Sequence, residues 1–354
     1  MIVIVGCSIV ILATIVAIMR SKKPLKVILA EAKFEMLYNI LGSKYLMHDF
    51  LMRKKNRVDL PMKSGKTALI TGGTRGIGLS VVKHLLKCDI NVIIGCRNVQ
   101  AAENLLPKIR EEDEIKTGNI EVHQLDISVL ESVRKFAEKV KSKHEQIDYL
   151  INNAGIMFGP QVESRDGYES QFATNYLGHF LLTHLLLPEL KKAGTETSHS
   201  RIVNVSSCAH VLGNIHFEDI NFRNRYIPAE AYAQSKLAQI LFSNFLNALM
   251  VKEGEYVQVH SVHPGVVNTD LFNDTSLKTV APWLPKLFFK TPDQGSYPIL
   301  YACLSPLLEG KGGTYIHNCV EFTPSEKALD ADLQEKLFNF TKKLLDIEKF
   351  STLL

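Results

Sequence analysis

A chain of 354 residues, with 46% hydrophobic and 22% charged side chains, has the composition of an ordinary globular protein. Its net charge of +4 is small, and no basic stripe interleaved with aromatic residues is present, so we expect no nucleic-acid partner. The six cysteines show neither CxxC spacing nor a partnering histidine cluster, which predicts no metal site and no disulfide framework.

The N-terminus predicts a membrane anchor over residues 1–20. Residues 2–19 form a run of about 18 apolar and small residues, which at ~1.5 Å per residue nearly spans a ~30 Å hydrocarbon core. A cleaved signal peptide is the alternative, but it places basic residues before the apolar run, whereas here they follow it, from Arg20 to Lys26. The positive-inside rule then puts the rest of the chain in the cytosol. We expect the endoplasmic reticulum, with lipid droplet or mitochondrial membrane as alternatives.

Residues 21–65 form a juxtamembrane segment. Apolar residues recur from Leu25 to Leu51 and are followed by a basic run at residues 53–57. Such a segment is typical of a helix on a bilayer surface, or of an ordinary helix that covers the edge of a domain. From residue 66 to 354, apolar strands alternate with helical patterns, which predicts a single α/β domain with a doubly wound parallel sheet.

The first strand, from Ala68, ends in a glycine-rich turn, and a helix follows from about Ile77 to Lys87. Glycine at positions 72, 76 and 78 allows a sharp turn and a close approach of backbone to a pyrophosphate. The N-terminus of the helix that follows favours anions. The stretch therefore predicts a dinucleotide site.

The second strand, Ile90 to Gly95, indicates which dinucleotide binds. An acidic residue at its end would accept a hydrogen bond from the ribose 2′-hydroxyl of NAD, but this chain has Cys96 and Arg97 there. With Arg75 in the glycine turn, two guanidinium groups are available to a 2′-phosphate. We predict NADP(H) as the preferred cofactor, with NAD(H) still possible.

The next two strands end in polar residues. Asp126 follows the strand from Asn119 to Leu125, where its carboxylate suits an adenine amino group. Asp126 or Ser128 also suits the N-cap of the next helix, and the two roles are compatible. The strand from Ile147 to Ile151 runs into small and polar residues whose backbone can approach a ribose; these include Asn153, Ala154 and Gly155.

Three further features follow along the chain, and the last of them indicates acid–base chemistry. A helical pattern over residues 166–192 contains Asn175 among apolar residues, and Ser207 follows a fifth strand over residues 202–206. Tyr232 and Lys236 lie four residues apart, so they share one face of a helix. A nearby ammonium lowers a phenol pKa from ~10 toward neutrality, which makes tyrosine a usable general acid or base. Alone, such a pair is also common in surface packing.

As a set, in this order along residues 66 to 316, these motifs resemble the short-chain dehydrogenase/reductase family. The resemblance implies a Rossmann-type sheet and the following roles. Ser207 hydrogen-bonds the substrate oxygen and Tyr232 exchanges its proton, while Asn175 anchors a water. Lys236 holds the nicotinamide ribose and depresses the pKa of Tyr232. The implied cofactor contacts also include residues of the glycine turn and a segment after strand six: Gly72, Thr74, Arg75, Gly76, Ile77 and Gly78, then Pro264, Gly265, Val267 and Thr269.

The separation of 25 residues between Ser207 and Tyr232 is wider than in simple members and resembles the retinol dehydrogenase-like branch. If Ser206 faces the site instead, the serine assignment is off by one. The residues at 175–180, 232–236 and 290–293 resemble a membrane-bound member linked to polyprenoid alcohols and aldehydes. The resemblance thus implies an oxidoreductase for a lipophilic alcohol or aldehyde, of the retinoid or polyprenoid class.

A loop over residues 279–289 holds the only tryptophan and suits an apolar lid over the substrate mouth, or a loop packed on the core. Two other functions remain open: a steroid or 3-ketoacyl-lipid reductase, and a non-catalytic NADP(H)-binding scaffold. The last predicted helix, residues 325–349, packs on the domain or on a second subunit, so a homodimer is possible.

Overall fold

The computed structural model describes residues 25–272, 283 and 287–350. The predicted anchor over residues 1–20 and most of the predicted lid lie outside the described residues. Within the described ranges, no helix combines the length and apolar character needed to cross a bilayer.

An eight-stranded sheet forms the centre of the molecule, with strand order β3-β2-β1-β4-β5-β6-β7-β8. The first seven strands are parallel, and β8 is antiparallel to β7. Their bounds are β1 Thr67–Thr71, β2 Asn91–Cys96, β3 Ile120–Gln124, β4 Tyr149–Asn152, β5 Ser200–Val205, β6 Val257–His263, β7 Tyr315–His317 and β8 Val320–Glu321. The central strands are buried runs of mainly β-branched residues, as expected where helices cover both faces of a parallel sheet.

Helices cover both faces of this sheet, so the predicted doubly wound Rossmann-type fold is confirmed. Apolar residues of α2, α3 and α7 build the core on one face, and those of α4, α5, α6 and α8 build it on the other. The helix bounds are α1 Leu25–Leu51, α2 Gly76–Lys87, α3 Val99–Glu112, α4 Leu130–Lys141, α5 Gly178–Ala193, α6 Pro228–Glu253, α7 Pro292–Leu304 and α8 Ala331–Leu344.

Two predicted helices are interrupted. The helix expected over residues 166–192 begins with one turn at Ser170–Phe172, continues as a π-helical turn at Ala173–Leu177, and only then becomes α5. The helix expected over residues 325–349 is split at Asp330, whose carboxylate caps α8 by accepting from the Leu333 amide at 3.0 Å. The apolar period runs through both breaks, so periodicity alone does not reveal them.

Helix α1 packs against α6 and against the short 3₁₀ helix Cys208–Leu212. It buries Tyr45 and Asp49 on the side that packs against the domain. Its other side leaves large apolar side chains in contact with solvent, among them Leu29 at 60%, Phe50 at 69% and Leu51 at 71% exposure.

Candidate active site

The glycine turn connects the end of β1 to α2. Gly72 and Gly76 have φ of +71° and +54°, which favour glycine, and a Cβ at Gly78 would clash with the carbonyl oxygen of Gly72. Helix α2 begins after Arg75, whose side chain makes no capping hydrogen bond, and no acidic residue lies in its first turn. The positive end of the helix therefore remains available to an anion, so the turn fits the pyrophosphate of a dinucleotide.

The hydroxyl of Thr71 joins the carboxyl end of β1 to the loop after β4. It accepts hydrogen bonds from the backbone amides of Asn153 and Ala154, both at 3.0 Å. Its own proton therefore goes to Nε2 of His179, at 2.8 Å. Nδ1 of His179 must then carry a proton, which it donates to the backbone carbonyl of Asn175 at 3.0 Å. Burial lowers the pKa of His179 to about 4, consistent with this neutral form.

Sequence reasoning missed His179. The only local signal was the four-residue spacing from Asn175, which places both residues on one helical face.

The side-chain amide of Asn175 is fully engaged within the protein. Its Oδ1 accepts from the Ile156 amide at 2.9 Å, and its Nδ2 donates to the Ile156 carbonyl at 3.0 Å and to Ser235 Oγ at 2.9 Å. Gly155 lies beside it, because a Cβ there would sit 3.2 Å from Asn175 Oδ1 and 3.7 Å from Lys236 Nζ. The π-helical turn thus ties the loop after β4 to α6.

Tyr232 and Lys236 lie on α6 as predicted, with the lysine Nζ 5.6 Å from the tyrosine ring centroid. Nζ donates to the Val205 carbonyl at 2.8 Å and to Gln239 Oε1 at 3.0 Å. Burial lowers the pKa of Lys236 to about 7. Burial also raises the pKa of Tyr232 above its usual range, and a hydrogen bond from Ser207 opposes that shift. The phenol is therefore protonated at neutral pH.

The two serines after β5 point in different directions. Ser206 Oγ donates to the backbone carbonyl of Lys236 at 2.8 Å, so it is committed to α6. Ser207 borders the same cavity as Tyr232, and its Oγ accepts from the Ala209 amide at 3.2 Å. Ser207 is thus the serine whose hydroxyl reaches the tyrosine.

The predicted 2′-phosphate and adenine contacts lie at neighbouring strand ends. Arg75 is exposed and pairs with Asp270 at 3.7 Å, and Arg97 is exposed just after β2. The Asp126 carboxylate accepts from both the amide (3.1 Å) and the hydroxyl (2.7 Å) of Ser128. Neither residue caps α4, since the N-cap position belongs to Val129. The N-cap role predicted for Asp126 or Ser128 is therefore wrong, because the strand leads first into a tight turn.

The segment after β6 borders both the glycine turn and the cavity. Gly265 has φ +96°, and a Cβ at Gly76 would lie 3.4 Å from Thr269 Cγ2. Pro264, Gly265, Val267 and Thr269, the residues implied to orient a nicotinamide amide, all line the cavity.

A cavity of about 220 Å³ connects these residues. Its polar walls carry Ser207, Tyr232 and Lys236, and its remaining walls are mainly apolar. Those apolar walls include Leu46, Met157, Val205, Leu271, Phe272 and Phe288.

Among the described residues, the ligand atoms of His48, Asp49 and His317 lie within 4.8 Å of one another. The Lys290 ammonium is 3.0 Å from the Asp49 carboxylate, which already accepts from His317 at 2.8 Å. The Asp49 carboxylate is thus already paired with a cationic side chain. The prediction of no metal site stays a prediction.

Comparison with known proteins agrees with this arrangement. The family model described as short chain dehydrogenase matches residues 66–279. Polyprenol dehydrogenase of Homo sapiens is 40% identical over 281 residues, which cover 79% of this chain and 84% of that protein. Retinol dehydrogenase 12 of Mus musculus is 37% identical over 284 residues, covering 80% and 87%. A solved structure of an uncharacterised protein from Mycobacterium paratuberculosis superposes with a TM-score of 0.65 at 33% identity, covering 81% of this chain and 96% of that one.

The chain therefore belongs to the short-chain dehydrogenase/reductase family, in its retinol dehydrogenase-like branch. It is an NAD(P)-dependent oxidoreductase that acts on CH–OH groups, which confirms the predicted family and reaction class.

Proposed function

We propose that this enzyme interconverts a lipophilic alcohol, of the retinoid or polyprenoid class, and its aldehyde or ketone. The observation that carries the proposal is the mainly apolar cavity whose lining includes Ser207 and Tyr232. An apolar cavity with a few convergent polar groups favours a hydrocarbon substrate that carries one reacting oxygen. The relatives named for polyprenol and retinol agree with that substrate class.

The roles of the residues follow from their chemistry. A bound nicotinamide cofactor supplies or takes up the hydride. The glycine turn would hold the pyrophosphate, and Lys236, which lines the cavity, would bind the ribose hydroxyls. Ser207 donates a hydrogen bond to the substrate oxygen. Tyr232, protonated at neutral pH because burial raises its pKa, gives its proton to that oxygen during reduction and takes one up during oxidation. Asn175 would anchor a water that returns a proton to Tyr232.

We propose NADP(H) as the preferred cofactor. Thr71 pairs with Gly95 in adjacent parallel strands, so Arg75 and Arg97 follow strand ends at the same edge of the sheet. Both guanidinium groups are exposed and available to a 2′-phosphate, and no carboxylate follows β2 directly to accept from a ribose 2′-hydroxyl.

We also propose that α1 lies on the cytosolic surface of the endoplasmic reticulum membrane. Its exposed side combines apolar residues with Lys26, Lys33 and Lys44, whereas its acidic Glu31 and Asp49 are buried and Glu35 is half-buried. The exposed basic run at residues 53–57 continues this pattern. Apolar side chains edged by lysines suit an anionic bilayer surface.

The test is single-turnover oxidation of NADPH and NADH by detergent-solubilised protein with retinal, a polyprenal, a steroid ketone and a short aldehyde. We expect fast NADPH consumption with the isoprenoid aldehydes. Tyr232→Phe should abolish turnover and leave NADPH binding within about threefold, because the ring remains and only the proton donor is lost. Tyr301→Phe, on α7, is the matched control and should behave as wild type. Activity retained by Tyr232→Phe would refute the mechanism, and reaction with the steroid alone would refute the substrate class.

A further inference from the structure

Helix α1 precedes the family domain in the chain, yet one of its faces borders the cavity. Tyr38, Gly42 and Leu46 follow one another at intervals of four residues, which places them on one side of the helix, and all three line the cavity. Asn39 and Ser43 lie next to them on the same wall. The exposed apolar residues, such as Ile40 at 56% and Met47 at 53%, lie on a different side.

Aromatic rings connect this wall to the reacting group. The ring of Tyr38 meets that of Phe158 edge-on, with centroids 5.0 Å apart, and Phe158 meets Tyr232 edge-on at 5.8 Å. The Tyr38 hydroxyl also lies 3.8 Å from the Met157 sulfur. Phe158 has φ +60°, a costly conformation for a bulky residue. Its amide is held there by Gln171 Oε1 at 2.9 Å. Tyr38 is thus one ring removed from Tyr232.

Asp49 fixes the far end of α1 to the segment after β6. Its carboxylate accepts from the Val266 amide at 2.8 Å and from His317 Nε2 at 2.8 Å, and it pairs with Lys290 at 3.0 Å. The side chain is 4% exposed, so these partners replace the water that the carboxylate has lost. This network sets the position of α1 relative to the cavity.

We infer that α1 is a substrate-binding wall that contacts the hydrocarbon tail, and that Gly42 provides the space for that tail. Within the described part of the chain, a Cβ added at Gly42 would meet no heavy atom within 4 Å, although the residue borders the cavity. The inference rests on the proposed function and assigns tail recognition to a helix outside the residues that the family model matches.

The test compares aldehydes with one reacting head and different tails: 3-methylbut-2-enal and all-trans-geranylgeranial. Gly42→Leu adds an isobutyl group at this wall and should lower kcat/KM for geranylgeranial at least about tenfold, which corresponds to losing the burial of about two methylenes. The same variant should keep kcat/KM for 3-methylbut-2-enal within about twofold. Lys252→Leu, at an exposed position of α6, is the control and should keep the wild-type dependence on tail length.

An unchanged ratio between the two aldehydes in Gly42→Leu, or an equal loss for both, would overturn the inference. A urea midpoint at or above that of wild type shows that the variant folds, since glycine is the poorer helix former. Binding of geranylgeraniol to the NADP⁺ complex, measured by calorimetry in detergent, separates the two proposals. Weaker binding of geranylgeraniol to Gly42→Leu would support the role of α1 as a wall even if the wild-type enzyme turned over neither aldehyde. That lack of turnover would refute the proposed function alone.

Discussion

The hydroxyl of Thr71 supports the whole site, and its removal is a stringent test of the hydrogen-bond network described above. Thr71→Val keeps the shape of the side chain but loses one acceptor and one donor. The Ala154 amide and Nε2 of His179 then lose their partner, while the Asn153 amide retains the Ile151 carbonyl at 3.0 Å. Stranding a buried polar group costs about 1–3 kcal/mol, so two such groups predict a loss of roughly 4 kcal/mol in the free energy of unfolding.

Thr71→Ser is the matched control, because it keeps the hydroxyl and removes one methyl group, at a cost of about 1 kcal/mol. The two variants should therefore differ by roughly 3 kcal/mol in urea unfolding followed by circular dichroism, with equal denaturant slopes. NADPH fluorescence titration should also show weaker binding by Thr71→Val, since the loop after β4 is no longer held. If the two variants had equal stability, the assignment of Thr71 as the junction between β1, β4 and His179 would be wrong.

Three further predictions follow from the structure. Gly78→Ala should weaken NADPH binding at least about tenfold in a fluorescence titration, because its Cβ would clash with the Gly72 carbonyl. Gly159→Ala is the control and should leave NADPH binding unchanged, because a Cβ there meets no described atom within 4 Å. Asp49→Asn breaks a buried ion pair and should lower the free energy of unfolding by about 3 kcal/mol, while Asp59→Asn, at an exposed site, should leave it unchanged; equal effects would argue against the network around Asp49. Stability should fall as pH drops from about 6.5 toward 4, because several buried histidines have lowered pKa values and the unfolded chain binds more protons in that window. The buried histidines concerned are His179, His210 and His260. A urea midpoint that does not change between these pH values would contradict the prediction.

Much of the candidate site was predictable because its parts are local. A glycine turn after an apolar strand, a serine at a strand end and a tyrosine four residues before a lysine are each encoded within a few positions. Parallel strands bring their carboxyl ends to one edge of the sheet, so the order of these motifs was enough to predict that they meet. The direction of the Tyr232 pKa shift could not be predicted, since the sequence shows the nearby lysine but not the burial that raises the pKa.

The sequence by itself determined the family, the doubly wound sheet and the strand ends at which the candidate site residues lie, because strand and turn preferences act over short distances. Only the tertiary structure decided between Ser206 and Ser207, made His179 a partner of Thr71, and placed α1 on the cavity. Asp49 and Val266 are 217 positions apart, and their hydrogen bond depends on how α1 lies across the finished domain. Such contacts join elements that are far apart in the sequence, so no periodic or short-range pattern in the chain predicts them.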